Sequence, residues 1–353
     1  MSNVLPKSSQ KLQSLEGIRA FAALAVVAFH ASMQAHLHGL SEQTDPILYY
    51  GKYGVQVFFV LSGFIIFYIH GNDLGDSSKV KNYLYRRWLR IWPLYAFLTI
   101  FQFVGKPILL GKEMDDPIKV ITSLLFLDLD VTPIITVGWT LVHEAFFYIV
   151  FAFLIVLGRK CSFWFLIVFS AMVIVVASMS SSGNHLTEFI FSHLRWYFIA
   201  GIAAALICKG ATSGNTRDAR IGGGIITSLF LIGLGAFILS GEATSLAMSL
   251  TRAAGIGIVM ALVAIVDIHK KLNLPKFLVY LGSASYSIYL IHSTVLDIGI
   301  TALSKKMSDV VSDHLFLVMF VLSIFSVVAG ILCHELCEKP LTKIVKKLTS
   351  RKA

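Results

Sequence analysis

The sequence predicts an all-α, polytopic membrane protein of about ten transmembrane helices with both termini in the cytoplasm. Three observations carry that reading. Of 353 residues, 56% are apolar and only 14% charged, and mean hydropathy is +0.76. Soluble chains run near ~45–50% apolar and ~25% charged, and a soluble fold of this size has too little interior to hide so much hydrocarbon. The same arithmetic excludes a disordered, fibrous or disulfide-scaffolded chain. Next, ten segments approach the roughly 20 apolar residues that a helix needs to cross a bilayer. Finally, the loops between them alternate in charge.

The ten segments lie near 15–38, 54–70, 86–105, 137–157, 161–180, 187–208, 222–240, 245–267, 277–301 and 314–337. The first carries Arg19 and His30 and ends in His36 and His38 without a small-residue cleavage site, so it reads as a permanent helix rather than a signal peptide. Basic residues gather at five places: Lys79, Lys81, Arg86, Arg87 and Arg90; Arg159 and Lys160; Lys209, Arg217 and Arg220; Lys270, Lys271 and Lys276; and the tail from Lys339 through Lys352. The loops between are neutral or acidic. The longest, about 106–136, holds Glu113, Asp115, Asp116, Asp128 and Asp130, and its apolar stretch at 121–127 reads as re-entrant or interfacial. The positive-inside rule then places both ends in the cytoplasm and requires an even number of crossings. These loops account for the net charge of +10, so no nucleic-acid partner is expected.

One domain spans 1–353, with cytoplasmic tails at about 1–14 and 338–353, and no internal repeat of 20–50 residues is visible. Cys161, Cys208, Cys333 and Cys337 all fall at cytoplasmic ends of spans, where thiols stay reduced. Cys333 and Cys337 stand one helical turn apart, but no second pair accompanies them, so no metal is expected.

Polar residues inside the spans are expensive and tend to mark sites. Arg19 and His30 are eleven residues apart, about 1100° of rotation at ~100° per residue, which returns them to within ~20° of one face and roughly 16 Å apart along the axis. A cation near the inner end and an imidazole deeper on the same face suit a long ligand with an anionic head and a reactive tip. Simple snorkelling of Arg19 and interhelical bonding of His30 are the plainer alternatives. Glu144, Arg195, Arg252 and His292 fall at a level similar to His30, as if around one cavity, although Glu144 with Arg195 also reads as a structural ion pair. Arg86, Arg87 and Arg90 precede Pro93, and such guanidinium forks match phosphate oxygens or serve as ordinary inner anchors. Tyr286, Tyr289 and His292, spaced by three, line one flank of the ninth span. Ser62 and Gly63 give the second span a small, polar break where another backbone or a thioester could approach.

These residues resemble a known family. Leu15-Glu16-Gly17-Ile18-Arg19 leading to His30 is similar to the opening helix of the membrane-bound acyltransferase 3 family. The likeness continues through Phe58 to Gly63, Arg87 to Pro93, Trp139 to Tyr148, Tyr286 to His292, and Glu338-Lys339-Pro340. Glu16 stands where the family usually has Asp, and His143 precedes the motif glutamate. The resemblance implies acyl transfer, most often of acetyl, from cytoplasmic acyl-CoA to a hydroxyl of a cell-surface or lipid-linked saccharide. It implies His30 as the catalytic histidine with Arg19 as its motif partner, Glu144 as a core polar residue, and Arg87 and Arg90, with Arg86 beside them, as contacts for CoA phosphates. Trp139, His143, Arg195, Arg252, Tyr286, Tyr289 and His292 are the candidates for the acceptor side, the oxyanion or the cavity wall.

No permanently bound cofactor is implied; acetyl-CoA enters as donor substrate. The setting implied is the bacterial cytoplasmic membrane, with the bilayer, the glycan or glycolipid acceptor and glycan-assembly proteins as partners. Two rival classes stay open: a secondary transporter for an anionic or amphipathic solute, and a non-catalytic scaffold.

Overall fold

The computed structural model describes residues 12–110, 113–127, 131–178, 184–214, 216–240, 245–306 and 313–350. Helices make up the architecture, with no strand among the described residues. They are α1 (Gln13–Leu37), α2 (Gly54–His70), α3 (Val80–Leu110), α4 (Pro117–Leu124), α5 (Trp139–Ser178), α6 (His185–Ile190), α7 (Arg195–Ser213), α8 (Thr216–Ser240), α9 (Ser245–Lys270), α10 (Lys276–Lys306), α11 (Leu315–Cys333) and α12 (Lys339–Ser350). A 3-10 turn at Leu48–Tyr53 leads into α2, and a π-helical turn at His334–Glu338 joins α11 to α12.

Eight helical stretches among the described residues are long and apolar enough to cross a membrane, against the ten expected. Two features account for the difference. Thr136–Val176 is one stretch of 41 residues, about twice what one crossing takes. Gly158 interrupts it with φ 76° and ψ 167°, a conformation that a side chain resists, and it divides the stretch at the boundary between the predicted spans 137–157 and 161–180. The predicted span 222–240 falls on α8, where the side chains of 229 and 233–240 lie outside the described residues.

The predicted span 187–208 is also not continuous. It separates into the single-turn α6, capped by the Asn184 side chain, and α7. The apolar stretch after residue 116 becomes the short α4, whose N-cap Asp116 accepts from Ile118 N–H, and whose Ile118 and Ile121 stay exposed.

Within the bundle, α1 packs along α10, α2 along α7, α7 against α8 and α9, and α10 against α11. With lipid outside, helix association relies on close packing and polar contacts rather than on the hydrophobic effect. The α2–α7 crossing shows this. A Cβ on Gly63 would stand 2.2 Å from the Phe198 carbonyl oxygen, and one on Gly201 would stand 2.1 Å from that of Val60. Gly63 therefore serves helix contact, not approach of a thioester. Trp196, Tyr197, Phe198, Phe64 and Phe151 fill the centre around α7, while Phe21, Trp164, Phe316 and Phe325 project outward.

Candidate active site

A cavity of about 180 Å³ lies among α1, α2, α3, α5 and α10. Its wall brings together Arg19, Ser62, Arg87, Arg90, Glu144, Tyr286 and Tyr289, seven of the expected site residues. Arg19 comes from α1, where its Nε donates to Ser285 Oγ at 3.2 Å and its Nη1 lies 3.8 Å from the Glu16 carboxylate. Arg87 and Arg90 share a face of α3, being three residues apart. Pro93 removes a helical N–H just beyond them, and close by Tyr286 O–H donates to the Ile91 carbonyl at 2.5 Å. Arg90 Nη1 is 3.5 Å from Glu338 Oε1. Glu338 in turn takes hydrogen bonds from Ser287 Oγ and His334 Nδ1, each at 2.6 Å.

Among the described residues, one cation is left for a ligand. Arg87 has a buried Nε with no hydrogen-bond partner, and no carboxylate pairs with its guanidinium among the described residues. Glu144 is satisfied by hydroxyls rather than by a cation: Ser62 Oγ donates to its Oε1 at 2.7 Å and Tyr148 O–H at 2.6 Å. The wall thus presents Arg19, Arg87 and Arg90 against the single carboxylate of Glu144. Buried cations without full pairing are costly, so the arrangement favours an anion whose planar or tetrahedral oxygens fit guanidinium forks.

His30 and His292 form a second centre. His292 is fully buried, and its Nδ1 lies 2.7 Å from the Tyr289 carbonyl. A carbonyl only accepts, so Nδ1 carries the proton and the neutral ring offers a lone pair at Nε2. That Nε2 is 3.2 Å from His30 Nδ1, which is also 3.0 Å from the Val26 carbonyl. Two acceptors at His30 Nδ1 place its proton there, and His30 Nε2 is left as the basic nitrogen.

The single passage expected from Arg19 to His30 is not open. The cavity wall includes Phe58 and Tyr289, whose rings are 5.9 Å apart, but neither histidine. From Tyr289 it is 5.7 Å between ring centres to His292 and a further 4.8 Å to His30. His292 holds His30 instead of lining the cavity.

The remaining candidates lie elsewhere. His143 is one residue, about 100° of rotation, from Glu144, and its ring packs on Phe189 at 4.9 Å and on Trp139 at 5.7 Å. Trp139 is 42% exposed on that outer side. Arg195 donates to the carbonyls of Phe189 (2.6 Å), Ile190 (3.2 Å) and His143 (3.4 Å). It thereby satisfies the carbonyl end of α6 and stands apart from the cavity. Arg252 lies over the Tyr53 ring at 4.4 Å, beside a different groove. Arg86 is exposed and bonds Asn82 Oδ1 at 3.2 Å.

Tyr148, Thr140 and Ser285 line the cavity without having been singled out. Spacing could have found two of them: Tyr148 is one turn after Glu144, and Ser285 is one turn before Tyr289. At the Glu338 hub, Glu338 opens the closing motif and His334 stands one turn before it, whereas Ser287 arrives from another helix with no signal in the spacing.

Comparison with known proteins bears on what this site is. The chain is 27% identical to the acyltransferase MdmB of Streptomyces mycarofaciens, over 97% of this chain and 94% of that protein. It is 26% identical to the exopolysaccharide production protein ExoZ of Rhizobium meliloti (strain 1021), over 86% of this chain and 93% of that protein. A stretch covering 33% of this chain and 17% of the relative is 31% identical to the putative peptidoglycan O-acetyltransferase YrhL of Bacillus subtilis (strain 168). No solved structure matches. The acyltransferase-domain model of the acyltransferase 3 family matches residues 12–335, and the chain belongs to that family of multi-pass membrane acyltransferases.

Proposed function

We propose that the protein takes an acyl group, most simply acetyl, from acyl-CoA on the cytoplasmic side and transfers it to a hydroxyl of a cell-surface or lipid-linked saccharide. The setting is the bacterial cytoplasmic membrane, with both termini cytoplasmic. The observation that carries the reading is the triple-arginine cavity with the unpaired Arg87 guanidinium, one ring pair short of an imidazole whose free nitrogen is basic. The relatives' names support the acceptor: one concerns exopolysaccharide production and another peptidoglycan O-acetylation.

In this reading Arg19, Arg87 and Arg90 hold the CoA phosphates. The pantetheine arm advances past Phe58 and Tyr289, whose rings must part to admit it. His30 Nε2 takes the proton of the acceptor hydroxyl as its oxygen attacks the thioester carbonyl. Collapse of the tetrahedral intermediate breaks the C–S bond, and the proton leaves His30 for the departing thiolate. His292 keeps His30 in the productive tautomer, as a fixed partner does for a catalytic base.

Purified protein supplied with acetyl-CoA and no acceptor should release thiol slowly, and His30→Ala should release none. Solute uptake into vesicles with no thiol release from the wild-type protein would instead establish a transporter.

A further inference from the structure

A second cavity bears on the acceptor. A groove of about 660 Å³ runs between α1 and α9. Its wall is nearly all hydrocarbon, including Phe21 of α1 and Ile256, Val259 and Val263 of α9, and Phe21 and Val259 are exposed. Along α9 its lining recurs every three or four positions from Arg252 to Val263, so it follows that helix for roughly 16 Å at 1.5 Å per residue. Arg252 is the cation at one end. No carboxylate pairs with it among the described residues; its guanidinium rests 4.4 Å over the Tyr53 ring. A guanidinium within a stretch long and apolar enough to cross a membrane is expensive without an anion, and a hydrocarbon furrow ending in one fits a lipid chain with a phosphate head.

An aromatic path joins this end to His30. Tyr53 is 6.1 Å from Tyr50, Tyr50 is 6.4 Å from Tyr49, Tyr49 is 6.1 Å from Phe29, and Phe29 is 4.9 Å from His30, measured between ring centres. Lys52 adds a cation, with Nζ 3.5 Å from the Tyr49 ring centre and 5.2 Å from that of Tyr53. Tyr49 and Tyr50 are 43% and 68% exposed and offer flat rings with polar tips, the surface on which the apolar face of a sugar ring settles. A bilayer phospholipid would account for the groove but not for the path to the histidine.

We propose that this groove is the acceptor site for a polyprenyl-phosphate-type, lipid-linked saccharide. The chain lies along α9, the phosphate rests on Arg252 and Lys52, the sugar sits on Tyr49 and Tyr50, and the reacting hydroxyl reaches His30. The last step rests on the acyl-transfer reading; the lipid-phosphate site does not.

The full chain in phospholipid-free detergent is titrated with a long-chain polyprenyl monophosphate, the corresponding polyprenol and phosphatidylglycerol, with bound lipid read by native mass spectrometry. The expected result is saturable binding of the polyprenyl phosphate, at least about tenfold tighter than polyprenol or phosphatidylglycerol. Arg252→Gln and Gly255→Phe should each weaken it by about tenfold or more. A Cβ at Gly255 meets nothing within 4 Å, so the phenylalanine fills the groove without displacing a helix. Should Arg252→Gln fail to fold, Gly255→Phe and Arg252→Lys decide, the lysine retaining binding. Equal binding of polyprenol, displacement by an equal amount of phosphatidylglycerol, or wild-type binding by Gly255→Phe would overturn the proposal. Selective binding without thiol release from acetyl-CoA would sink acyl transfer and leave this site standing; thiol release without selective binding would do the reverse.

Discussion

Glu144 and His30 show how single residues are held here. Glu144 Oε1 collects two hydroxyl donors in a cavity whose other charges are cationic, so truncation leaves Ser62 and Tyr148 without their acceptor. Stranded buried hydroxyls cost about 1–3 kcal/mol each. Glu144→Ala should lower the thermal midpoint in detergent clearly, and Glu144→Gln, which keeps an acceptor oxygen, should lower it less; equal losses would show that the hydroxyl bonds contribute nothing. His292 touches His30 and not the cavity, so its effect should fall on turnover. His292→Phe should reduce kcat by on the order of tenfold or more with KM for acyl-CoA unchanged, and His292→Gln, whose amide oxygen can accept, should recover part of it. A rise in KM with kcat intact would instead place His292 on the donor's path.

At the scale of helices, Gly63 is the clearest constraint. Its position under the Phe198 carbonyl fixes how closely α2 meets α7, and α2 carries Ser62 into the cavity. Gly63→Leu should force the helices apart at a cost of about 1–3 kcal/mol or more, read as loss of monodisperse protein after extraction; a normal yield with normal stability would contradict the close crossing. Helices also explain which site residues could be read in advance. Arg19, Ser62, Arg87, Arg90, Glu144, Tyr286 and Tyr289 meet as expected, because each lies in a motif with its own spacing. Arg195 and Arg252 rest on depth along a span alone, and depth says nothing about direction; His143 and Trp139 share a motif with Glu144 but turn to another flank of α5. A helix apolar on every side has no polar stripe to reveal which flank faces inward. His143 and Glu144, adjacent in sequence, consequently point into different surroundings.

For the whole molecule, composition alone made the membrane bundle legible, since only helices satisfy their backbone internally in lipid and no strand signal competes. The number of crossings was less legible: Gly158 makes two predicted spans into one interrupted helix, and α6 breaks from α7. Ten crossings with cytoplasmic ends predict that reporter fusions at residue 12 and at residue 350 both report the cytoplasm, and that one placed between α1 and α2 reports the outside. Fusions reporting opposite sides for the two ends would require an odd count and would contradict the cytoplasmic placement of both ends.

In the proposed reaction, donor binding and chemistry fall to two adjoining centres, the arginine cavity and the histidine pair. The most direct measurement compares wild type, His30→Ala and Arg87→Gln for CoA binding and for thiol release from acetyl-CoA in the same detergent preparation. His30→Ala should bind CoA like wild type and release no thiol, whereas Arg87→Gln should bind CoA at least about tenfold more weakly. Thiol release by His30→Ala at the wild-type rate would contradict that assignment of the chemistry.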